Sequence, residues 1–589
     1  MSSSRACMFL LIAACSLAPL QSGHARLVNN STSAVEDIGP VTSKVDTSRY
    51  QELRYVAQSA ASDQKGDGSA LKPWRSISSA LAQINDARAS KRYAVLVGKG
   101  TYTGGTIAMK EYVDLYGGYE PSRWERDLFA QPSVLDGGGT QRVLIGADNC
   151  RLDGFVVKRG QVRGKGAGLL CAKVSPTIVN SIFTENRTLA PESWAPKELH
   201  EVANDGAAIA CLDGASPTVE RNLFTGNSTE VGRGAGIACD NKASPLISRN
   251  VFVGNTTGLN DSQRSSDGGA ISVYDYSSPR VLDNIIAGNR ALGSNDAGGI
   301  FVALWCSPLI AGNIIISNES TDDAGGIFMG GQKHHYSTPL DPLPPKDKFY
   351  GQIIGNIIMG NMNRSGNSGA MRVTMESRAL IANNVIAENR GGPYLQRSEV
   401  ELANNTIVDP VLLVETKEGL KPSVLINNII WTNLDQKTVA SVSYCDLKSA
   451  HPGEGNMSAD PLFVDDSLQL TAESSAYDPA RGHTRATLTG GRLKPNELAR
   501  RVIRSGGKWG VVTFNDATTL TAWGDLSGEK ILMIVPTYHL RADSPCIDRG
   551  TNAGAPDRDL EGNLRPANGG RSKTADIGAF EYISGKPGQ

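Results

Sequence analysis

Asn222-Leu-Phe-Thr-Gly-Asn227 decides the fold, because the same six-residue frame returns from Asn250 to Asn255, Asn284 to Asn289, Asn313 to Asn318, Asn356 to Asn361 and Asn384 to Asn389. Each copy has Asn at both ends and Phe or Ile third. A second constant stands eight residues ahead of a proline: Ile209 before Pro217, Ile237 before Pro245, Ile271 before Pro279 and Ile300 before Pro308. Spacing this rigid marks one supersecondary unit stacked on itself.

Aligning the copies shows what each unit buries. An alternating apolar pair reads Ile209/Cys211, Ile237/Cys239, Ile271/Val273, Ile300/Val302, Ile327/Met329 and Met371/Val373, which is a short strand with one face inward. A second inward position follows the proline at Val219, Ile247, Val281 and Ile310, and a third is Phe224, Phe252, Ile286, Ile315, Ile358 and Ile386. Three short strands per turn, repeating every 28 residues where the loop is shortest, predict an all-β chain wound as a parallel β-helix. The asparagines then gain a structural role, since an amide at the same corner of successive coils can bond its equivalents above and below.

At these residues the sequence resembles the right-handed parallel β-helix proteins of the pectin-lyase-like superfamily. The pairing of Gly268-Gly269-Ala270-Ile271 with Phe-x-x-Asn, as in Phe224 to Asn227, is similar to the repeats of chlamydial polymorphic outer membrane proteins. The resemblance implies the fold over most of residues 50 to 470. It is nearly silent on chemistry, because this fold hosts lyases, hydrolases, epimerases and adhesins alike. The Asp-His, Gly-His-Gly and Arg-Ile-Lys signatures of the superfamily's lyases and hydrolases are absent.

The predicted layout is a signal peptide over 1–25, a linker over 26–50, the β-helix with its N-terminal cap over 51–470, a small β insert over 471–540 and a closing segment over 541–589. The signal reads as Arg5, an apolar run from Ala6 to Leu20 and a small-residue exit, and implies secretion to the cell surface, periplasm or medium. Ile12-Ala-Ala-Cys15 also fits a lipoprotein box, with a lipid anchor on Cys15. No other apolar run has the length of a membrane span. Ile77, Ala80, Leu81 and Ile84 predict a capping helix, which a solenoid needs over its first coil. Trp509 to Phe514, an Asn515-Asp516 turn and Thr519 to Trp523 predict a hairpin within the insert. Ser544-Pro-Cys-Ile-Asp-Arg-Gly550 and Asp576-Ile-Gly-Ala-Phe-Glu-Tyr582 resemble closing elements of secreted β-helix proteins.

The net charge of −1 gives no electrostatic footprint for nucleic acid, and a monomer is expected. Cys171, Cys211 and Cys239 fall on one inward position of consecutive coils and read as buried thiols rather than disulfides. No Cys/His spacing suggests zinc.

The chemistry is expected on the turn after the first strand, where Asp213, Asp240 and Asp275 occupy nearly equivalent places, followed by Trp305 and His334 in later coils, with Tyr274 and Tyr276 beside Asp275. A row of carboxylates at coil spacing, ending in aromatics, predicts a saccharide groove: Asp213, Asp240, Asp275 and His334 as catalytic candidates, and Tyr274, Tyr276, Trp305 and Trp194 against sugar rings. The same three acids, and separately Asp322-Asp323, are candidate ligands for Ca²⁺. The plain alternative is that acids at such corners bond their own turns. The expected function is binding of an extracellular polysaccharide, with cleavage as a lyase or glycoside hydrolase in its fullest form. The rival is a non-catalytic surface adhesin or structural protein.

Overall fold

A computed structural model describes residues 38–192, 204–259, 266–331, 349–414, 420–438, 440–567 and 573–584. The signal region, Cys15, Trp194 and His334 lie outside these residues. The chain winds as a right-handed parallel β-helix, and the repeat seen in the sequence proves to be physical stacking: Ile209, Ile237, Ile271, Ile300, Ile327 and Met371 pair in unbroken register.

One coil has four strands where three were expected. Ile237–Asp240 belongs to an isoleucine sheet, Leu246–Ser248 to a sheet that follows the prolines, Val251–Val253 to a sheet between the two asparagines, and Thr256–Thr257 to a fourth, two-residue sheet. The fourth escaped the sequence reading because two residues carry no period. Inward side chains of the first three sheets form one continuous core, with Phe224 and Phe252 stacked at 4.6 Å. Among the described residues seven cysteines are free and buried, including the stacked Cys171, Cys211 and Cys239.

Both amide ladders form. The Asn222 side-chain amide donates to Asn250 Oδ1 at 3.0 Å and to the Ile178 carbonyl at 2.9 Å, and the Asn222 backbone N–H also donates to Asn250 Oδ1. The same pattern runs through Asn284, Asn313, Asn356 and Asn384, and then on to Asn405 and Asn428. The second ladder runs from Asn186 through Asn227 to Asn389, where Asp409 Oδ2 accepts at 2.6 Å. Burial pushes the Asp409 carboxyl up to about 6.

The first coil is covered by the helix Ile77–Gln83, whose cap Ser76 accepts the Ser79 N–H and which buries Ile77, Ala80 and Leu81. At the other end the expected hairpin is one part of a closed antiparallel barrel: Leu468–Asp478, His483–Leu488, Val502–Ser505, Lys508–Asn515, Thr519–Trp523 and Ile531–Ile534. It has its own core around Ile503, Val512, Leu520 and Leu532. The barrel does not stand off the solenoid. Its Val502, Val511 and Trp523, together with Phe580 of the closing segment, pack on Leu223, Val251, Ile285, Ile314 and Met359, the outward residues of the asparagine sheet. That sheet is therefore apolar on both faces, as Ile314-Ile315-Ile316 shows.

Replacing Asn284 or Asn313 by Leu leaves ladder groups in adjacent coils without partners in a buried row, at about 1–3 kcal/mol for each orphaned group. Thermal melting of both variants should fall by several degrees. Unchanged melting for both would refute the structural role.

Candidate functional site

The outer side of the isoleucine sheet carries the chemistry-bearing side chains, in a column four residues ahead of the start of each strand. Backbone bonds fix the column: Gly166 N–H donates to the Asp205 carbonyl, Gly206 to Arg233, Gly234 to Asp267, Gly268 to Asp296 and Ala297 to Asp323, each within 2.9–3.0 Å. Lys165, Asp205, Arg233, Asp267, Asp296 and Asp323 thus stand in consecutive coils. Small residues follow them because each strand entry meets the next coil's backbone. A Cβ on Gly299, for instance, would lie 2.4 Å from the Gly326 carbonyl.

The first part of the column neutralises itself. Arg233, almost wholly buried, donates to Asp205 through Nη2 at 2.9 Å and lies 3.6 Å over the Tyr274 ring. Lys165 bridges Asp205 at 3.1 Å and Asp240 at 2.6 Å. Burial would raise the Asp205 carboxyl, but Arg233 and Lys165 outweigh it and hold it below the usual range. Burial pushes the Tyr274 phenol up to about 12, against the opposing pull of Arg233.

The second part is acidic. The carboxyl of Asp267 accepts the Asp296 N–H at 2.8 Å, and that of Asp296 accepts the Asp323 N–H at 3.0 Å. Burial first, then Asp267 and Asp323, keep the Asp296 carboxyl protonated well above the ordinary range. Asp323 is raised too, chiefly by burial, though Arg372 opposes the shift. Here the column reaches solvent: Arg372 pairs with Asp323, donates to Gln396 Oε1 at 2.8 Å and lies 4.7 Å over the Tyr394 ring, and all four residues are half-buried.

The structure corrects the expected acid row. Asp240 pairs with Leu212 on one side, and the register of the next strand sets it beside Tyr274, so it lies in the strand and not on the turn. Asp213 and Asp275 do lie on the turn, with φ of +57° and +50°, and Asp213 Oδ1 accepts from Asn241 Nδ2 of the next coil at 2.8 Å, a bond between coils and not within its own turn. Tyr276 is 43% exposed. Tyr274 and Trp305 are buried, Tyr274 under Arg233 and Trp305 edge-on to Phe349 at 5.3 Å, so neither presents a face to a sugar. Among the described residues no three His, Cys, Asp or Glu side chains gather so as to hold a metal ion, so the calcium expectation finds no donor set there. Sequence reading missed the column. Its signal was the residue before each small-residue run, Asp205-Gly, Arg233-Gly, Asp267-Gly, Asp296-Ala and Asp323-Ala.

Residues 134–338 match the family described as right handed beta helix region. No curated protein matches the chain. Among solved structures, the pectate lyase Pel9A aligns over 93% of this chain and 100% of its own at 14% identity and a TM-score of 0.34. A complex of XylC with xylose aligns over 90% and 98% at 10% identity and 0.41. A tailspike mutant of E. coli bacteriophage HK620, in complex with a pentasaccharide, aligns over 82% and 94% at 10% identity, with a TM-score of 0.28.

The Asp296 carboxyl sets a pH dependence. Its pKa is 3.8 when unfolded and well above that when folded, with Asp267, Asp322 and Asp323 facing it, so the native state holds more protons between the two values. Its contribution to stability is full below 3.8 and is lost as pH rises through the folded value. Urea denaturation should find Asp296→Asn more stable than wild type at pH 7 and level with it near pH 3. Equal midpoints at both pH values would contradict the assignment.

Proposed function

We propose that the protein is a polysaccharide-binding β-helix that takes a sugar chain along the outer side of the isoleucine sheet. One observation carries this reading: Asp323, Arg372, Tyr394 and Gln396, drawn from three consecutive coils, form a single half-buried patch in which a guanidinium lies over an aromatic ring and joins an amide to a carboxyl. Coils stack about 4.8 Å apart, close to the length of one sugar ring, so each coil can meet one ring. Aromatic faces suit the apolar face of a sugar, and a guanidinium fork with carboxyl and amide neighbours suits its hydroxyls or a uronate. The exposed Tyr276, with Asp213 and Asp275 on the turn bordering the same sheet, extends the surface.

Binding without cleavage is the form we favour. The charges at the start of the column, Lys165, Asp205, Arg233 and Asp240, are paired with one another, and the acid that retains its proton, Asp296, is buried. Asp323 is the column acid that is both raised and half-buried, and it is where a proton donor to a glycosidic oxygen would have to stand if the chain were cut.

Titration of the purified protein against uronic-acid and neutral polysaccharides should give saturable binding to at least one. Tyr394→Ala should weaken it about tenfold (~1.4 kcal/mol), with folding retained. Reducing ends and unsaturated products, read separately, should stay at background; their release, abolished by Asp323→Asn, would make the protein an enzyme. No binding across the panel, or equal binding by Tyr394→Ala, would overturn the proposal.

A further inference from the structure

A second place for a ligand lies on a different sheet, under the barrel. Every coil turns into the asparagine sheet through one residue with positive φ, directly before the first ladder asparagine. Over six coils these are Arg249, Asp283, Gly312, Gly355, Asn383 and Asn404, with φ between +54° and +68°. The backbone does not demand glycine here, because four of the six coils adopt the same conformation with Arg, Asp or Asn. Gly312 and Gly355 are therefore two adjacent coils in which the corner side chain is missing. In the next two coils that side chain ties the closing segment to the solenoid, Asn383 Nδ2 donating to the Arg558 carbonyl at 2.6 Å and Asn404 Nδ2 to the Asp576 carbonyl at 3.0 Å.

Over the two glycines is a cavity of about 290 Å³. Its floor is apolar, with Ile314 and Ile357 of the asparagine sheet. Its roof comes from the barrel and the closing segment, with Arg500, His539, Leu560 and Phe580. The space over Gly355 is open: a Cβ there would meet Leu560 Cδ1 at 3.6 Å, an ordinary contact, and nothing nearer, whereas over Gly312 the Asp283 carboxyl already stands where a Cβ would lie.

Arg500 sets the charge. Its neighbour Arg501 is occupied, pairing with Asp466 at 3.3 Å and donating to the Asp466 and Val535 carbonyls at 3.0 Å. His539 is held between Thr537 Oγ1 at 2.7 Å and Glu561 Oε1 at 3.1 Å, against Phe580 at 4.0 Å. The Arg500 guanidinium, half-buried, makes no hydrogen bond and no ion pair with the described residues. The charge nearest to it in effect is Asp283, whose own carboxyl burial pushes upward. A guanidinium stays charged at any physiological pH and offers a planar fork matched to a carboxylate. The volume, at the lower end of the roughly 300–1,000 Å³ usual for ligand pockets, takes one ring and not a chain of them.

We propose that this junction cavity binds a small ring-bearing carboxylate, its carboxylate on Arg500 and its ring between the Ile314/Ile357 floor and Phe580. The site is independent of the polysaccharide face, which lies on the isoleucine sheet. A sugar acid and an aromatic acid share this chemistry, and the two are separated by the probes used.

Calorimetric titration of the full chain with benzoate, glucuronate, glucose and inorganic phosphate tests it. At least one of the two carboxylates should give saturable heat, glucose none. Affinity should fall at least tenfold in Arg500→Gln and vanish in Gly355→Asn, while Arg492→Gln, an exposed change elsewhere in the barrel, leaves it unaltered. Gly355→Asn should melt near wild type, because Asn holds this corner in the two following coils. Should one variant fail to fold, the other decides. Silence from both carboxylates, undiminished affinity in Arg500→Gln, or heat from phosphate alone would overturn the proposal.

Discussion

Each coil must close on itself and still match the coil above, and the asparagine amide is the group that makes both possible. Its Nδ2 has two protons and its Oδ1 two lone pairs, so one side chain at a tight corner can reach the carbonyl on one side and the next amide on the other. In a buried corner no water is available to do this. That requirement imposes the same turn on every coil, which imposes the same strand register, which in turn stacks Ile on Ile and Phe on Phe. The core follows from the ladders as much as the ladders follow from the core.

A position constrained in every coil cannot specialise, so function is confined to positions where coils differ. Two such positions exist beside the ladders. The column ahead of the isoleucine strands changes sign from coil to coil, and the corner ahead of the first ladder changes from Arg to Asp to Gly to Asn. Neither change disturbs the backbone, since the column residue bonds through its main chain and the corner residue is left-handed whatever its side chain.

The architecture was legible in the sequence for this reason: Asn222, Asn250 and Asn284, or Ile209, Ile237 and Ile271, report their own stacking by repetition. The capping helix and the hairpin at Trp509 were legible from local period and turn chemistry. The site was not, because the turn after the strand was read at the resolution of one residue, and a shift of one places Asp240 on the strand, within reach of Lys165, while leaving Asp213 and Asp275 on the corner. The docking of the barrel was also missed, although Asn313-Ile-Ile-Ile and Asn356-Ile-Ile-Met carry apolar residues at both outward positions of a strand, a pattern that a solvent-facing sheet would not keep.

That docking changes what the fold can offer a ligand. A bare β-helix presents shallow, repetitive faces, and a flat face cannot desolvate a small molecule. Folding the barrel back over the asparagine sheet turns one of those faces into an interior, and an interior packed by apolar residues has no room unless side chains are withheld. Gly355 withholds one, while the Asp283 carboxyl stands over Gly312 in the coil before it, and Arg500 puts a guanidinium without an ion-pair partner among the described residues over the gap. At Gly355 the tie made by Asn383 in the next coil is missing, and a guanidinium without an ion-pair partner among the described residues lines the space that this leaves.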